Sequence, residues 1–270
     1  MLVPVPPLLA GRLEGWDPDH TVPAKDAATI AVVRDGDRGL EAFLMRRNSG
    51  MAFAPGMYVF PGGRVDDEDG EPLTWIGPPP SEWARRFGCD DGLARRLVVA
   101  AVRETFEETG VLLAGPDEDT VVGDTTDLDD ARDALENKEL TFSRFLADHG
   151  LVLRTDLLGA WAHWITPAFE PRRYDTRFFV AALPEGQRID TVSTEADRSL
   201  WAPLVDVLAH VDRGEAAMLP PTAVTCRELS SLSASEVLKA SADRVIRPIE
   251  PRPVLVDGNW WLDVDREEHT

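Results

Sequence analysis

Residues 103–108 read RETFEE: three glutamates stand at 104, 107 and 108, with Arg103 before them and Gly110 closing the run. On a helix at about 100° per residue, Glu104, Glu107 and Glu108 fall within an arc of roughly 100°. Val98, Val102, Phe106 and Thr109 then cluster on the other side. Carboxylates three and four positions apart repel by a few tenths of a kcal/mol per pair, so something must offset such a stripe. A divalent cation does so. Hard ions such as Mg²⁺ bind carboxylate oxygens, and substrate phosphates and water complete the shell. Arg103 lies one turn before Glu107 and can hold that carboxylate by a charge-assisted hydrogen bond. For an arbitrary pair of glutamates a solvated helix face is the ordinary reading; here the flanking sequence decides against it.

The run needs a helix to carry it, and residues 93–109 have helical periodicity ending at Gly110, a C-terminal cap. Upstream, 28–35 and 40–47 are β-rich runs around Gly36 and Gly39, a hairpin. Residues 56–66 form a short strand ending in a Pro-Gly-Gly turn. Residues 67–96 are turn-rich and acidic, with prolines at 78–80, and read as an insertion. Downstream, 115–130 is an acidic, solvated loop and 131–149 is helical in pattern. The stretches 159–167 and 175–184 are strands in composition, while 202–214 and 221–232 read as helices. Val-Asp-Gly-Asn centres a hairpin at 252–265. This order predicts a single α+β domain over 1–270, an α/β/α sandwich with a mixed sheet. It carries an insertion at about 67–96 and a C-terminal helical extension at about 202–245.

At 270 residues and 43% apolar content the chain can bury a real core, and its formal charge of −20 argues against nucleic acid or an anionic membrane as partner. An anionic small-molecule substrate would need metal ions or clustered arginines. Cys89 and Cys226 are far apart, so both are expected to be free thiols in a reducing, cytoplasmic setting. The opening residues lack a basic segment and are broken by Pro4, Pro6 and Pro7, so neither a signal peptide nor a membrane span of roughly 20 residues is expected.

With YVFPGG before it and TGV after it, the helix resembles the Nudix box, G-x5-E-x7-R-E-U-x-E-E-x-G-U with U aliphatic. Arg103, Glu104, Glu107, Glu108, Gly110 and Val111 match, and Thr105 stands where an aliphatic residue is usual. With Gly63 as the first glycine, Asp69 occupies the place of the first Glu, and Gly63 and Arg103 lie 40 apart, which implies 26 extra residues inside the box. The helix and the glycine loop can still meet if that stretch is extruded. One Nudix branch, which includes a coenzyme A diphosphatase, is similar in carrying such an insertion. Residues 46–66 and 163–184 also look like its segments, and the resemblance covers roughly 28–235.

The resemblance implies metal-dependent hydrolysis of the diphosphate in ADP-linked metabolites such as NADH, ADP-ribose, FAD or coenzyme A, by water attack at phosphorus. It implies Mg²⁺ or Mn²⁺ on Glu104, Glu107, Glu108 and the Gly62 carbonyl, with Arg103 orienting Glu107. The family often adds a glutamate from a later loop, as ligand or general base; Glu195, six residues before Trp201, is one candidate and Glu170 another. Arg46 and Arg47, which end a strand, and Arg172 and Arg173, in a turn, are candidates to grip the diphosphate, since guanidinium forks suit phosphate oxygens. A homodimer is compatible with this reading. Two rivals stand beside it: a degenerate Nudix domain that binds a nucleotide as sensor or scaffold, and a nucleoside triphosphate pyrophosphohydrolase. Retention of all three glutamates with Arg103 favours a diphosphatase over the first, and the box insertion disfavours the second.

Overall fold

β1 (Lys25–Gly36) and β2 (Gly39–Arg47) form the expected hairpin, turning at Asp37 and Arg38. The computed structural model describes residues 2–5, 11–13, 16–17, 20–48, 50, 54–189 and 196–264. From Ala27 to Val33 β1 is buried on both faces, as a strand covered by two layers must be. Ala28, Ile30 and Val32 enter one apolar cluster, while Ala31 and Val33 enter the other. β1 and β2 pair from the turn back to Val33 and Ala42. Nearer the start of β1 the strands part, and β4 (Gly62–Arg64) pairs with β1 across Ala27, Ala28 and Thr29. β3 (Tyr58–Val59) lies against β2. This fork holds the glycine loop in place.

β5 (Gly159–Ile165), β6 (Tyr174–Ala182), β7 (Ala196–Pro203) and β8 (Pro248–Ile249) complete the sheet in the order β7-β2-β1-β6-β5-β8. The β6–β1 and β8–β5 pairs are parallel and the other pairs antiparallel, so the sheet is mixed. One face is covered by α1 (Pro80–Phe87) and α2 (Asp91–Thr109), followed by α3 (Asp129–Glu136) and α4 (Phe142–Asp148). The other face is covered by α5 (Leu204–Asp212), α6 (Pro220–Leu229) and α7 (Ala234–Ala242). The α/β/α sandwich expected from the sequence is the observed architecture. Among the described residues no helix is long and apolar enough to cross a membrane.

The insertion departs from expectation. It is not extruded: Pro80 opens α1, Gly88 closes it at φ 65°, and Trp83, Ala84 and Phe87 are buried along one side. Trp83 and Phe87 meet Phe179 of β6, with ring centroids 5.6 and 5.1 Å away. The turn-rich composition hid a short amphipathic helix. The 131–149 stretch is likewise two helices. Lys138 takes a positive φ of 58° after α3, and Thr141 starts α4 by accepting from the Arg144 amide. Strand β7 extends to Pro203, so α5 starts two residues later than the pattern suggests. The hairpin at 252–265 is present as 252–256 and 259–263, turning at Asp257 and Gly258, and Leu2–Pro4 adds a strand to it.

Candidate active site

α2 begins two residues before the expected position, because Asp90 caps it by accepting from the Leu93 amide at 2.8 Å. It ends at Gly110, whose φ of 74° lets its N–H reach the Phe106 carbonyl. Leu97, Val98, Ala101, Val102 and Phe106 are fully buried against the sheet. Thr105 shares that burial although the motif prefers an aliphatic residue; its hydroxyl donates to the Ala101 carbonyl at 2.8 Å, which removes the cost of burying it. The core face thus fixes the rotation of the helix and turns the glutamates toward the glycine loop.

Arg103 organises the site. Its Nε and Nη2 donate to the two oxygens of Asp69 at 2.8 and 3.0 Å, a bidentate pair in which Asp69 is 2% exposed. Its Nη1 donates to Glu104 at 2.9 Å and to both Glu107 oxygens at 3.3 Å, and Nη2 also reaches the Arg64 carbonyl at 3.1 Å. Asp66 lies 3.8 Å from Nη2 and is bound by Lys138 Nζ at 2.7 Å. One guanidinium therefore faces four carboxylates. Asp69 reaches it because residues 67–70 form a 3₁₀ turn in which the Asp69 carboxylate accepts from the Asp66 amide. Asp69, which stands at the first acidic place of the box, thus meets Arg103 despite the insertion.

The glycine loop meets this cluster directly. The Gly62 amide donates to Glu108 Oε2 at 2.7 Å. A Cβ at Gly62, whose φ is 152°, would lie 2.4 Å from the Ala28 carbonyl oxygen, so glycine is required there. A Cβ at Gly63 would lie 2.4 Å from the Glu104 carboxylate. Burial pushes the carboxyls of Glu104 and Glu107 upward, Glu107 to about 7, against the opposing pull of Arg103. Among the described residues no three His, Cys, Asp or Glu side chains already stand in a metal-holding arrangement, the glutamates being taken up by Arg103 and the Gly62 amide.

These residues line a cavity of about 510 Å³ together with Arg47, Arg172, Lys138, Arg12 and Glu170. Of the arginines expected to bind phosphate, Arg47 and Arg172 reach the cavity wall. Arg46 is half-buried in β2 opposite Tyr58 and is not part of that wall. Arg173 departs from the expectation: it is buried, and its guanidinium donates to the Thr166 and Val22 carbonyls at 3.0 and 2.8 Å and to Glu250, which ties the chain's early segment to the sheet. Glu170 is ion-paired with Arg12, and Glu195 lies outside the described residues. Sequence reasoning missed Asp66, Lys138 and Arg12. Lys138 and Arg12 reach the cavity through long-range folding, which no local spacing marks, whereas Asp66 lies three residues beyond Gly63, just past the glycine loop.

The family model of the NUDT19 Nudix domain matches residues 89–229, which takes in α2 with Arg103 and the three glutamates. A Caenorhabditis elegans nudix hydrolase is 26% identical, over 87% of this chain and 70% of its own. The Gallus gallus acyl-coenzyme A diphosphatase NUDT19 is also 26% identical, over 78% of this chain and 66% of its own, so the chain spans about two thirds of these relatives' length. A solved NUDIX hydrolase from Alicyclobacillus acidocaldarius superposes with a TM-score of 0.66 at 28% identity, covering 82% of this chain and 97% of that one.

Proposed function

Because the chain belongs to the NUDT19 family of Nudix hydrolases, we propose that it cleaves the diphosphate bond of ADP-linked metabolites with the help of Mg²⁺ or Mn²⁺. Coenzyme A and its acyl esters, NADH, FAD and ADP-ribose make up that class. The observation that carries the reading is the array of Glu104 and Glu107 on Arg103 at the wall of the cavity, with the guanidinium held from its buried side by Asp69. Glu104, Glu107, Glu108 and the Gly62 carbonyl are the donors that would hold the cation. They are hard oxygens in a cluster where negative charge exceeds positive, beside a loop with no side chain in the way. When bound, the cation supplies neutralisation at the phosphoryl oxygens and acidifies water.

The chain's own groups do the rest. Arg103 holds Glu104 and Glu107 so that neither turns away from the cavity. A water attacks phosphorus and gives its proton to a carboxylate of this cluster, which lines the cavity on α2. The bridging oxygen departs with the electron pair of the broken P–O bond. Arg47, Arg172 and Lys138 offer donors to the remaining phosphate oxygens from the same cavity wall. The test is a panel of ADP-linked metabolites, ATP and dGTP at equal free Mg²⁺, scored by release of AMP or 3′-phospho-ADP. A hundredfold preference in kcat/KM for the diphosphates is expected, and equal turnover of dGTP or ATP would reject the reading.

A further inference from the structure

The cavity continues past the carboxylates into an apolar half lined by Phe60, Trp164, Phe178, Leu219, Pro220 and Leu262. Most of these side chains belong to the apolar cluster on the face of the sheet opposite α2. Glu170 also lines the cavity and is 3% exposed. Its Oε2 is ion-paired with Arg12, and its Oε1 is buried with no hydrogen-bond partner. The Trp164 Nε1–H is likewise buried without an acceptor, and Trp164 is 4% exposed. A buried carboxylate oxygen and a buried indole N–H without partners are costly to keep, and a ligand that supplies both complements removes the cost. Arg12 neutralises Glu170, so an anionic substrate can approach it.

We propose that Glu170, held by Arg12, is the residue with which this cavity reads the organic end of its ligand. It accepts a hydrogen bond from an N–H group there, and Trp164 donates to a neighbouring acceptor. The recognised chemistry is an N–H donor beside an acceptor on an otherwise apolar body. In the substrate class proposed above, on which this inference rests, that pattern occurs on the amino edge of adenine and on the amides of a pantetheine arm. Burial also raises the Glu170 carboxyl, which accords with a group awaiting a donor. This role differs from that of a loop base, because Glu170 acts on the part of the ligand that does not react.

The test measures binding of product-sized ligands by calorimetry with Mg²⁺ present, and it needs no turnover. AMP is compared with purine riboside 5′-monophosphate, which has a hydrogen in place of the amine and no N–H on the base, and 4′-phosphopantetheine with an alkyl phosphate of similar length. Wild type should prefer the N–H-bearing member of one pair by about tenfold or more, as expected for a hydrogen bond to a charged acceptor. Glu170→Met should abolish that preference while changing Kd for the other member less than twofold, and the pair that responds names the source of the donor. Glu170→Gln, which keeps the side-chain shape, should show a partial loss and serves where the methionine variant does not fold. Equal weakening of both members, or an unchanged preference in Glu170→Gln and Glu170→Met, would overturn the proposal. If the metabolite panel fails while this discrimination holds, the hydrolytic reading falls and the recognition role stands.

Discussion

Arg103 is 8% exposed and carries its charge into a cluster of acids, so its partners decide where it points. Asp69 supplies the two shortest of those contacts besides that of Glu104. Asp69→Asn keeps the shape but removes the charge, leaving Arg103 to be drawn toward Glu104 and Glu107. The expected outcome is a fall in kcat of roughly 10- to 100-fold with KM little changed, and a lower melting temperature. Steady-state kinetics and thermal unfolding measure both, and an unchanged kcat would mean that Glu107 does not need Arg103 held in place. Much of this site could be read from spacing, because Arg103, Glu104, Glu107 and Glu108 share one helix. Asp69 was marked by the register of the box despite the insertion. Lys138 and Arg12 were not, since each meets the cavity from a segment remote in sequence.

Glu107 also makes the site sensitive to pH in a defined direction. Its folded carboxyl is raised from 4.5 to about 7, chiefly by burial. The stability it contributes is therefore fully present below its unfolded value and is lost as pH rises through about 7. At 1.36 kcal/mol per unit this amounts to about 3 kcal/mol across the window, and Glu104 shifts in the same direction. Metal-free protein should melt at a lower temperature at pH 8 than at pH 5.5, and saturating Mg²⁺ should raise the melting temperature more at pH 8 than at pH 5.5. A Mg²⁺ effect independent of pH would show that these carboxyls are not where the ion binds.

Among the elements, the insertion departs most from what the sequence suggested. Prolines at 78–80 and the acidic turns around them read as a solvated excursion, yet α1 buries Trp83 at 1% and Phe87 at 4% exposure against Phe179. The helix is eight residues long, too short for its periodicity to stand out among turn residues. Its role is to complete the core beneath the first turns of α2, which links it to the site. Trp83→Ala should cost about 3–5 kcal/mol of folding stability, measured by denaturant unfolding. Replacing 70–92 by a Gly-Ser link should likewise give a protein that does not fold stably. A folded deletion variant with wild-type kcat would mean that the helix is dispensable packing. The other elements were legible where they are long and uniform, as in β1, β2 and α2. They were misread where a single residue such as Lys138 breaks a continuous pattern.

At the scale of the whole molecule, a chain with a formal charge of −20 must bind an anionic substrate, and the cations that face the cavity offset that charge locally. Arg47→Met and Arg172→Met should each raise KM for an ADP-linked substrate by roughly tenfold with a smaller effect on kcat, as expected for the loss of one charge-assisted phosphate contact. Unchanged KM in both would place the diphosphate elsewhere. Because the cavity joins the acidic end of α2 to an apolar half built on the opposite core, the sandwich brings carboxylates, cations and an apolar wall into one space.

The most direct test of the account is the Glu108→Gln variant assayed on coenzyme A, NADH and ADP-ribose at saturating free Mg²⁺. The glutamine oxygen can still accept from the Gly62 amide, so the loop stays tied to the helix while the site loses one of the charged oxygens proposed to hold the cation. The account predicts a correctly folded protein whose kcat/KM falls by at least about a thousandfold on every substrate that wild type cleaves, equivalent to roughly 4 kcal/mol of transition-state stabilisation. Wild-type turnover by a folded Glu108→Gln protein would contradict the assignment of this helix face as the hydrolytic centre.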